Sequence, residues 1–143
     1  MWCHKALVAY DGSAPSHKAL EVMREIAQQN PALEIVLVHV MRLFSTGAAA
    51  AGVDTVMVED AMAVRRELEA IAAELPNPCE VKVLKGTSPA DLIVNCAKED
   101  GCDLIIMGSR GQGGVKGFLG SVSYAVTKES PMTVLIAKEG EAR

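Results

Sequence analysis

A glycine-rich stretch between an apolar run and a potential helix is the feature that most constrains what this chain can fold into. The apolar run at 103–107 is typical of a buried strand, and residues 121–128 can form a helix. Five of the twelve glycines lie within 108–117, and Gly120 is a sixth. Glycine lets backbone N–H groups converge, and a helix N-terminus adds partial positive charge. The stretch therefore predicts a phosphate-binding turn; the alternative is a flexible surface loop.

The spacing of these glycines differs from that of three common phosphate-binding motifs. No Gly-Lys pair is followed by Ser or Thr, so the P-loop pattern is absent. The dinucleotide pattern fails because Lys116 stands where its third glycine is required. The protein-kinase set is absent as well. What remains is Gly108 and Gly111 separated by two residues, followed after eight residues by Gly120 and Ser121.

Short apolar runs alternate with helical patterns along the rest of the chain. Strands are predicted at 5–10, 33–41, 79–85, 103–107 and 132–137. Four helices are predicted. The first starts at residue 14 and is capped by Ser13, the second covers 55–75, the third starts after Ser88, and the fourth covers 121–128. Between the second strand and the 55–75 helix we expect an irregular connection that is either a lid or a spacer. This order predicts an α/β fold, an open parallel sheet with helices on both faces.

Composition limits the class of protein. The length of 143 residues predicts one domain spanning 1–143, and half of the residues are hydrophobic, enough for a core. A net charge of −4 argues against a nucleic-acid binder, and no apolar run is long enough to predict a membrane span. The N-terminal residues lack the layout of a secretory signal, so a cytoplasmic location is expected. The four cysteines show no zinc or redox spacing and are expected to be reduced.

The glycine spacing, together with three other segments, resembles the universal stress protein family in its ATP-binding subclass. The family signature is Gly, two residues, Gly, nine residues, Gly, then Ser or Thr; here the second interval is eight. The resemblance also covers residues 8–13, His39 and Val40, and 133–137, and it spans nearly the whole chain in order. It implies a Rossmann-like, five-stranded parallel sheet in the order 3-2-1-4-5. That order would bring Asp11, after the first strand, to the glycine loop after the fourth.

The same resemblance implies a site for ATP, with Mg²⁺ or Mn²⁺ as the accompanying ion. Ala9 and Asp11 would border the nucleoside, with Asp11 near the ribose or the metal, and Val40 would contact the adenine through its backbone. The residues expected to wrap the phosphates are Gly108, Ser109, Arg110, Gly111, Gln112, Gly113 and Gly114. Those expected at the terminal phosphate are Gly120, Ser121, Val122 and Ser123. Asp11 alone would be ordinary turn chemistry, because Asp-Gly-Ser is common in turns.

Three functions follow from the resemblance and from the residues. The first is an ATP-dependent switch or sensor in the stress response, without a catalytic residue of its own. The second is a slow ATPase or phosphotransferase, and the third is a nucleotide-free dimeric interaction protein, an alternative that the shorter loop keeps open. The family commonly pairs through its last strand, so a homodimer through Met132 to Ala137 is expected. His39 is expected to be a packed, hydrogen-bonded histidine, and His4 and His17 have no evident partner in the sequence.

Overall fold

Five parallel strands form one sheet in the computed structural model, which describes residues 2–43, 51–111 and 119–139, with the backbone alone at 51–56. The strands are β1 (Lys5–Ala9), β2 (Glu34–Arg42), β3 (Cys79–Gly86), β4 (Leu104–Gly108) and β5 (Thr133–Ala137). Their order is β3-β2-β1-β4-β5, which confirms the expected arrangement. The central strands β1 and β4 are almost wholly apolar because both of their faces are covered by helices.

Four helices connect the strands: α1 (Ala14–Gln29), α2 (Ala51–Glu74), α3 (Pro89–Glu99) and α4 (Ser121–Glu129). The predicted cap of α1 is confirmed, since the Ser13 side chain accepts a hydrogen bond from the backbone N–H of Ser16. Pro15 occupies the first turn, where its missing N–H costs nothing. At α3, Ser88 stands at the cap position but its hydroxyl donates to the Asp91 carboxylate (3.0 Å) instead of capping the backbone.

The sheet separates two apolar layers. Side chains of α1 and α2 pack with Ala6, Val8 and Ile106 on one face. Side chains of α3 and α4 pack with Leu7, Val38 and Ile105 on the other. Successive residues of a strand point to opposite faces, so each central strand contributes to both layers. This sandwich fixes the carboxyl ends of β1, β2 and β4 along one edge of the sheet, where the candidate site lies.

Helix α2 differs from the prediction in its start and in its buried face. It begins at Ala51 rather than at residue 55, and Arg42 belongs to β2, so the expected irregular connection is shorter. Residues 44–50, the remainder of the predicted lid or spacer, lie outside the described residues. The apolar stripe predicted for the 55–75 helix includes Val58, Ala61, Met62 and Leu68, but Val58 and Met62 are 44% and 53% exposed. Ala61 and Leu68 are buried as predicted, and the two exposed residues lie off that line on the helical wheel.

Two histidines have partners that the sequence did not reveal. The His17 ring lies edge-on to the ring of Tyr10, and its Nε2 is 3.1 Å from the Tyr10 hydroxyl. That hydroxyl donates to the carboxylate of Glu67 on α2 (2.5 Å). Burial, followed by this contact with Glu67, raises the pKa of Tyr10. Near the amino edge of the sheet, His4 Nδ1 lies 3.3 Å from the Asp103 carboxylate.

The four cysteines are free thiols, and three of them are buried. Burial is the largest cause of the raised pKa values of all four, which are about 12 for Cys3 and about 11 for Cys79, Cys96 and Cys102. A raised pKa keeps a thiol protonated and unreactive at neutral pH. These cysteines therefore act as small apolar side chains in the core.

Candidate functional site

A cavity of about 530 Å³ opens at the carboxyl edge of the sheet, between the ends of β1, β2 and β4 and the first turn of α4. This is where open α/β sheets bind their ligands. Its lining combines apolar side chains with a few polar groups, as is usual for small-molecule sites. The lining residues are Ala9, Tyr10, Asp11, Ser16, Val38, His39, Val40, Arg42, Pro89, Ile93, Met107, Gly108, Arg110, Gly111, Gly120, Ser121, Val122 and Ser123.

The structure brings Asp11 to the glycine loop, as the predicted strand order required. A methyl group added at Gly111 would lie 2.6 Å from Asp11 Oδ2, so a larger residue there would push this carboxylate out of its position. The other carboxylate oxygen, Oδ1, accepts a hydrogen bond from the backbone N–H of Ser13 (2.9 Å). Asp11 is therefore held between the turn that starts α1 and the beginning of the glycine loop.

Gly108 is required for packing between β4 and α1. A Cβ atom there would lie 2.6 Å from the Pro15 carbonyl carbon and 2.8 Å from the Ser16 nitrogen. Among the described residues, only Gly12 and Gly101 have positive φ angles. At Gly108, Gly111 and Gly120 the absence of a side chain provides space rather than an unusual dihedral angle.

The base of the glycine loop is closed by two backbone hydrogen bonds through Ser109. Its N–H donates to the carbonyl of Ala137 (2.9 Å), and its carbonyl accepts from the N–H of Gly120 (2.8 Å). Ser109 was predicted to contact phosphate, yet it does not line the cavity. The predicted site residues Gln112, Gly113 and Gly114 lie outside the described residues.

The first turn of α4 faces the cavity through Ser121, Val122 and Ser123. The first intrahelical bond runs from the Tyr124 N–H to the Gly120 carbonyl, and no side chain caps the helix. The N–H groups of the first turn therefore have no partner within the helix and are suited to an anion. The buried Ser123 hydroxyl instead donates to the Gly108 carbonyl (2.8 Å), which ties α4 to the end of β4.

Two arginines give the cavity a positive component. Arg110 lines it at the start of the glycine loop, and its guanidinium contacts the carboxylate of Glu139, which follows β5. Arg42 lines it at the end of β2. Asp11 is the one carboxylate among the described lining residues. The described polar groups therefore suit a ligand that carries negative charge at the α4 end of the cavity.

His39 is a lining residue that the prediction did not include in the site. Its Nδ1 lies 2.9 Å from the Tyr10 carbonyl, which can only accept, so Nδ1 carries hydrogen. The expectation of a packed, hydrogen-bonded histidine is confirmed, and the ring also forms part of the cavity wall. Its position beside Val40, in the carboxyl half of the second predicted strand, was the signal available in the sequence. Pro89, Ile93 and Met107 form an apolar wall of the cavity that the sequence did not predict. Their local pattern indicates only a helix start for Pro89 and core positions for Ile93 and Met107.

The comparisons with known proteins agree with this architecture. The family model described as "Universal stress protein family" matches residues 3–138. The chain belongs to the universal stress protein family. Universal stress protein YxiE of Bacillus subtilis is 36% identical over 147 residues, which cover 94% of this chain and 99% of that protein.

Solved universal stress proteins share the fold. The structure of UspA from Lactobacillus plantarum matches with a TM-score of 0.79 at 22% identity, covering 94% of this chain and 97% of that one. A universal stress protein solved in complex with cAMP matches with a TM-score of 0.71 at 26% identity, covering 96% of this chain and 98% of the other. In the ranges that the structure describes, no helix of this universal stress protein is long and apolar enough to span a membrane.

Proposed function

We propose that this universal stress protein binds ATP in the cavity at the carboxyl edge of its sheet and acts as a nucleotide-dependent switch or sensor in the stress response. The observation that carries the proposal is the meeting of Asp11, the glycine loop and the first turn of α4 around one cavity. The related protein solved with cAMP supports an adenine nucleotide as the ligand class. In this arrangement the base and ribose lie toward Val40 and Asp11, and the phosphates lie toward Gly111 and Ser121.

The chemistry of the lining supports phosphate binding. Backbone N–H groups at the start of α4 donate to phosphate oxygens, and the helix dipole adds to their effect. Arg110 supplies a charged, planar donor at the start of the loop. The apolar lining residues Val40, Ile93 and Met107 provide a surface for a base.

A single carboxylate fits a magnesium or manganese ion that the nucleotide itself brings. Mg²⁺ is usually held by one or two carboxylates together with substrate phosphates and waters. No group of three metal-binding side chains occurs in the described parts of the chain. Asp11 would contact such an ion or its water shell, and the ion would neutralise phosphate charge.

The described polar groups support binding more directly than turnover. Backbone N–H groups and arginines stabilise phosphates without accepting a proton, whereas hydrolysis also needs a positioned water. A slow ATPase or phosphotransferase, with Asp11 orienting that water, is the second candidate. A nucleotide-free dimeric interaction protein is the third, and it rests on the shorter glycine interval.

We also propose a cytoplasmic homodimer. No strand among the described residues pairs with the outer edge of β5, and residues 134–136 of β5 are apolar and half-buried. Such an edge is suited to pairing with a second copy. The strand begins at Thr133, one residue later than predicted. The four free thiols fit a reducing compartment.

Isothermal titration with ATP and a Gly111→Val variant tests the site. Valine at this position would displace the Asp11 carboxylate and fill the approach to the loop, so we expect ATP affinity to fall at least about tenfold. Gly101→Asn is the control, because Gly101 has open space around it, a left-handed φ of 72° that asparagine tolerates, and a place at the opposite edge of the sheet. Equal ATP affinities of a folded Gly111→Val protein and the wild type would contradict the assignment of the cavity.

Nucleotide extracted from the purified protein distinguishes the three candidates. Acid denaturation followed by anion-exchange chromatography identifies what the protein carries. Near-stoichiometric ATP supports the switch, and ADP or AMP formed only with Mg²⁺ and lost in Asp11→Ala supports the ATPase. An empty protein that also fails to bind ATP in titration supports the interaction protein.

A further inference from the structure

The pair formed by Arg110 and Glu139 is set by the register of the sheet. Gly108 of β4 lies opposite Ala137 of β5, and the hydrogen bond from Ser109 to Ala137 continues the pairing one residue beyond β4. Arg110 comes two residues after Gly108, and Glu139 comes two residues after Ala137. Side chains two positions apart point to the same face, so the two side chains meet as cross-strand neighbours.

The contact is shielded from solvent and adjoins the cavity. The Arg110 side chain is 17% exposed and that of Glu139 is 32% exposed, whereas the arginine and lysine pairs on the helix surfaces are about half exposed. Partial burial strengthens an ion pair because less water screens it. Arg110 lines the cavity and Glu139 does not, so the carboxylate affects a bound ligand by its contact with the arginine.

We propose that Glu139 is a built-in competitor for the phosphate end of the site and that it sets how affinity depends on ligand charge. This inference rests on the proposed nucleotide-binding function. A guanidinium that contacts a carboxylate has fewer donors and less net charge to offer a phosphate. This loss weakens the binding of highly charged ligands and leaves an uncharged ligand unaffected.

The opposite role would be that Glu139 holds Arg110 in the orientation that phosphate needs. The two roles predict opposite signs when the carboxylate is removed. A competitor predicts tighter binding, because the arginine regains a donor and its full positive charge for the phosphate. A positioning residue predicts weaker binding, because the guanidinium loses its orientation. The competitor is the role that we propose, because Glu139 contacts a terminal guanidinium nitrogen, which is a donor that phosphate would use.

Titration of Glu139→Gln with adenosine, AMP and ATP tests the proposal. We expect ATP affinity to rise about three- to tenfold, AMP affinity to rise less, and adenosine affinity to stay within about twofold. Glu34→Gln is the matched control, because it removes the same charge from an exposed position at the amino end of β2. Thermal unfolding of each variant verifies that the fold is retained.

The double variant Arg110→Gln with Glu139→Gln shows whether the effect passes through Arg110. In the Arg110→Gln background, the gain in ATP affinity from Glu139→Gln should shrink to about twofold or less, because there is no guanidinium left to release. A gain that persists undiminished would overturn the role of the pair. The competitor role of Glu139 would also be refuted if Glu139→Gln bound ATP more weakly than the wild type, or if its affinities for adenosine and ATP rose equally.

The outcomes separate this inference from the proposed function. If the wild type binds ATP and Glu139→Gln binds it no more tightly, the competitor is refuted and the site stands. If ATP binds only to Glu139→Gln, the competitor is supported in its strongest form. If neither protein binds any of the three ligands, the nucleotide site and its competitor are both refuted.

Discussion

Replacing Gly108 with alanine should destabilise the protein strongly, although it adds only one methyl group. The added Cβ would lie 2.6 Å and 2.7 Å from two Pro15 carbon atoms and 2.8 Å from the Ser16 nitrogen. All three distances are at least 0.6 Å below the 3.4 Å at which ordinary contact begins. Two of the three atoms belong to the backbone of α1, so no side-chain rotation relieves the overlap.

The cost follows from what must move. The first turn of α1 is held by the Ser13 cap and by the hydrogen bond from His17 N–H to the Ser13 carbonyl (3.0 Å). Shifting this turn away from β4 strains both bonds and loosens the core beneath it. Overpacking of this kind costs about 2–3 kcal/mol. For a chain of this size that lowers the midpoint of thermal unfolding by roughly 4–12 °C.

Urea denaturation followed by circular dichroism measures the free energy of unfolding directly. Gly86→Ala is the matched control: there the nearest atoms are the methyl carbons of Leu92, at 3.0 and 3.4 Å, and that side chain can rotate. We expect the control to stay within about 0.5 kcal/mol of the wild type. A Gly108→Ala protein that is equally stable would refute the reasoning, because it would show that α1 is not fixed against β4.

Two further predictions concern the amino edge of the sheet and the β5 edge. Burial opposes ionisation of Asp103, but hydrogen bonds from the His4 and Lys5 N–H groups outweigh it and lower its pKa from 3.8 to about 2. The stabilisation that ionised Asp103 provides is therefore complete above about pH 4 and is lost as the pH falls toward 2. Asp103→Asn should lower the free energy of unfolding by about 1 kcal/mol at pH 7. In urea titrations at a series of pH values, the variant should also lose less stability than the wild type between pH 4 and pH 2. Light scattering at micromolar concentration should give twice the mass of the chain, and a monomer would contradict pairing through β5.

Much of the fold was predictable because its strands are short apolar runs separated by clear helix starts. Ser13 and Pro15 marked the beginning of α1, and the burial of 104–107 on both faces produced an unbroken apolar run. The strand order was different, because no local pattern states which strands are neighbours. It came from the family resemblance, and only that order places Asp11 against Gly111.

What the sequence did not reveal depends on contacts between distant residues. Val58 and Met62 are as apolar as the buried residues of α2, and only the packing of the helix shows that they face outward. Nothing in the local sequence around Glu67 indicates that its carboxylate accepts a hydrogen bond from Tyr10, which is distant in the chain. The link between Arg110 and Glu139 requires the register of β4 against β5, which becomes readable once those strands are known to be neighbours.

The two hydrogen bonds at Ser109 have a consequence for protein engineering. They join the end of β4 both to β5 and to the residue before α4, so Ser109 and Gly120 are held together at the base of the glycine loop. The start of α4 is thereby anchored by residues on either side of the loop. We therefore expect the placement of α4 to tolerate a small change in the number of residues between Arg110 and Gly120. A designer who varies the loop to alter ligand preference should be able to keep Ser109 and Gly120 as fixed ends.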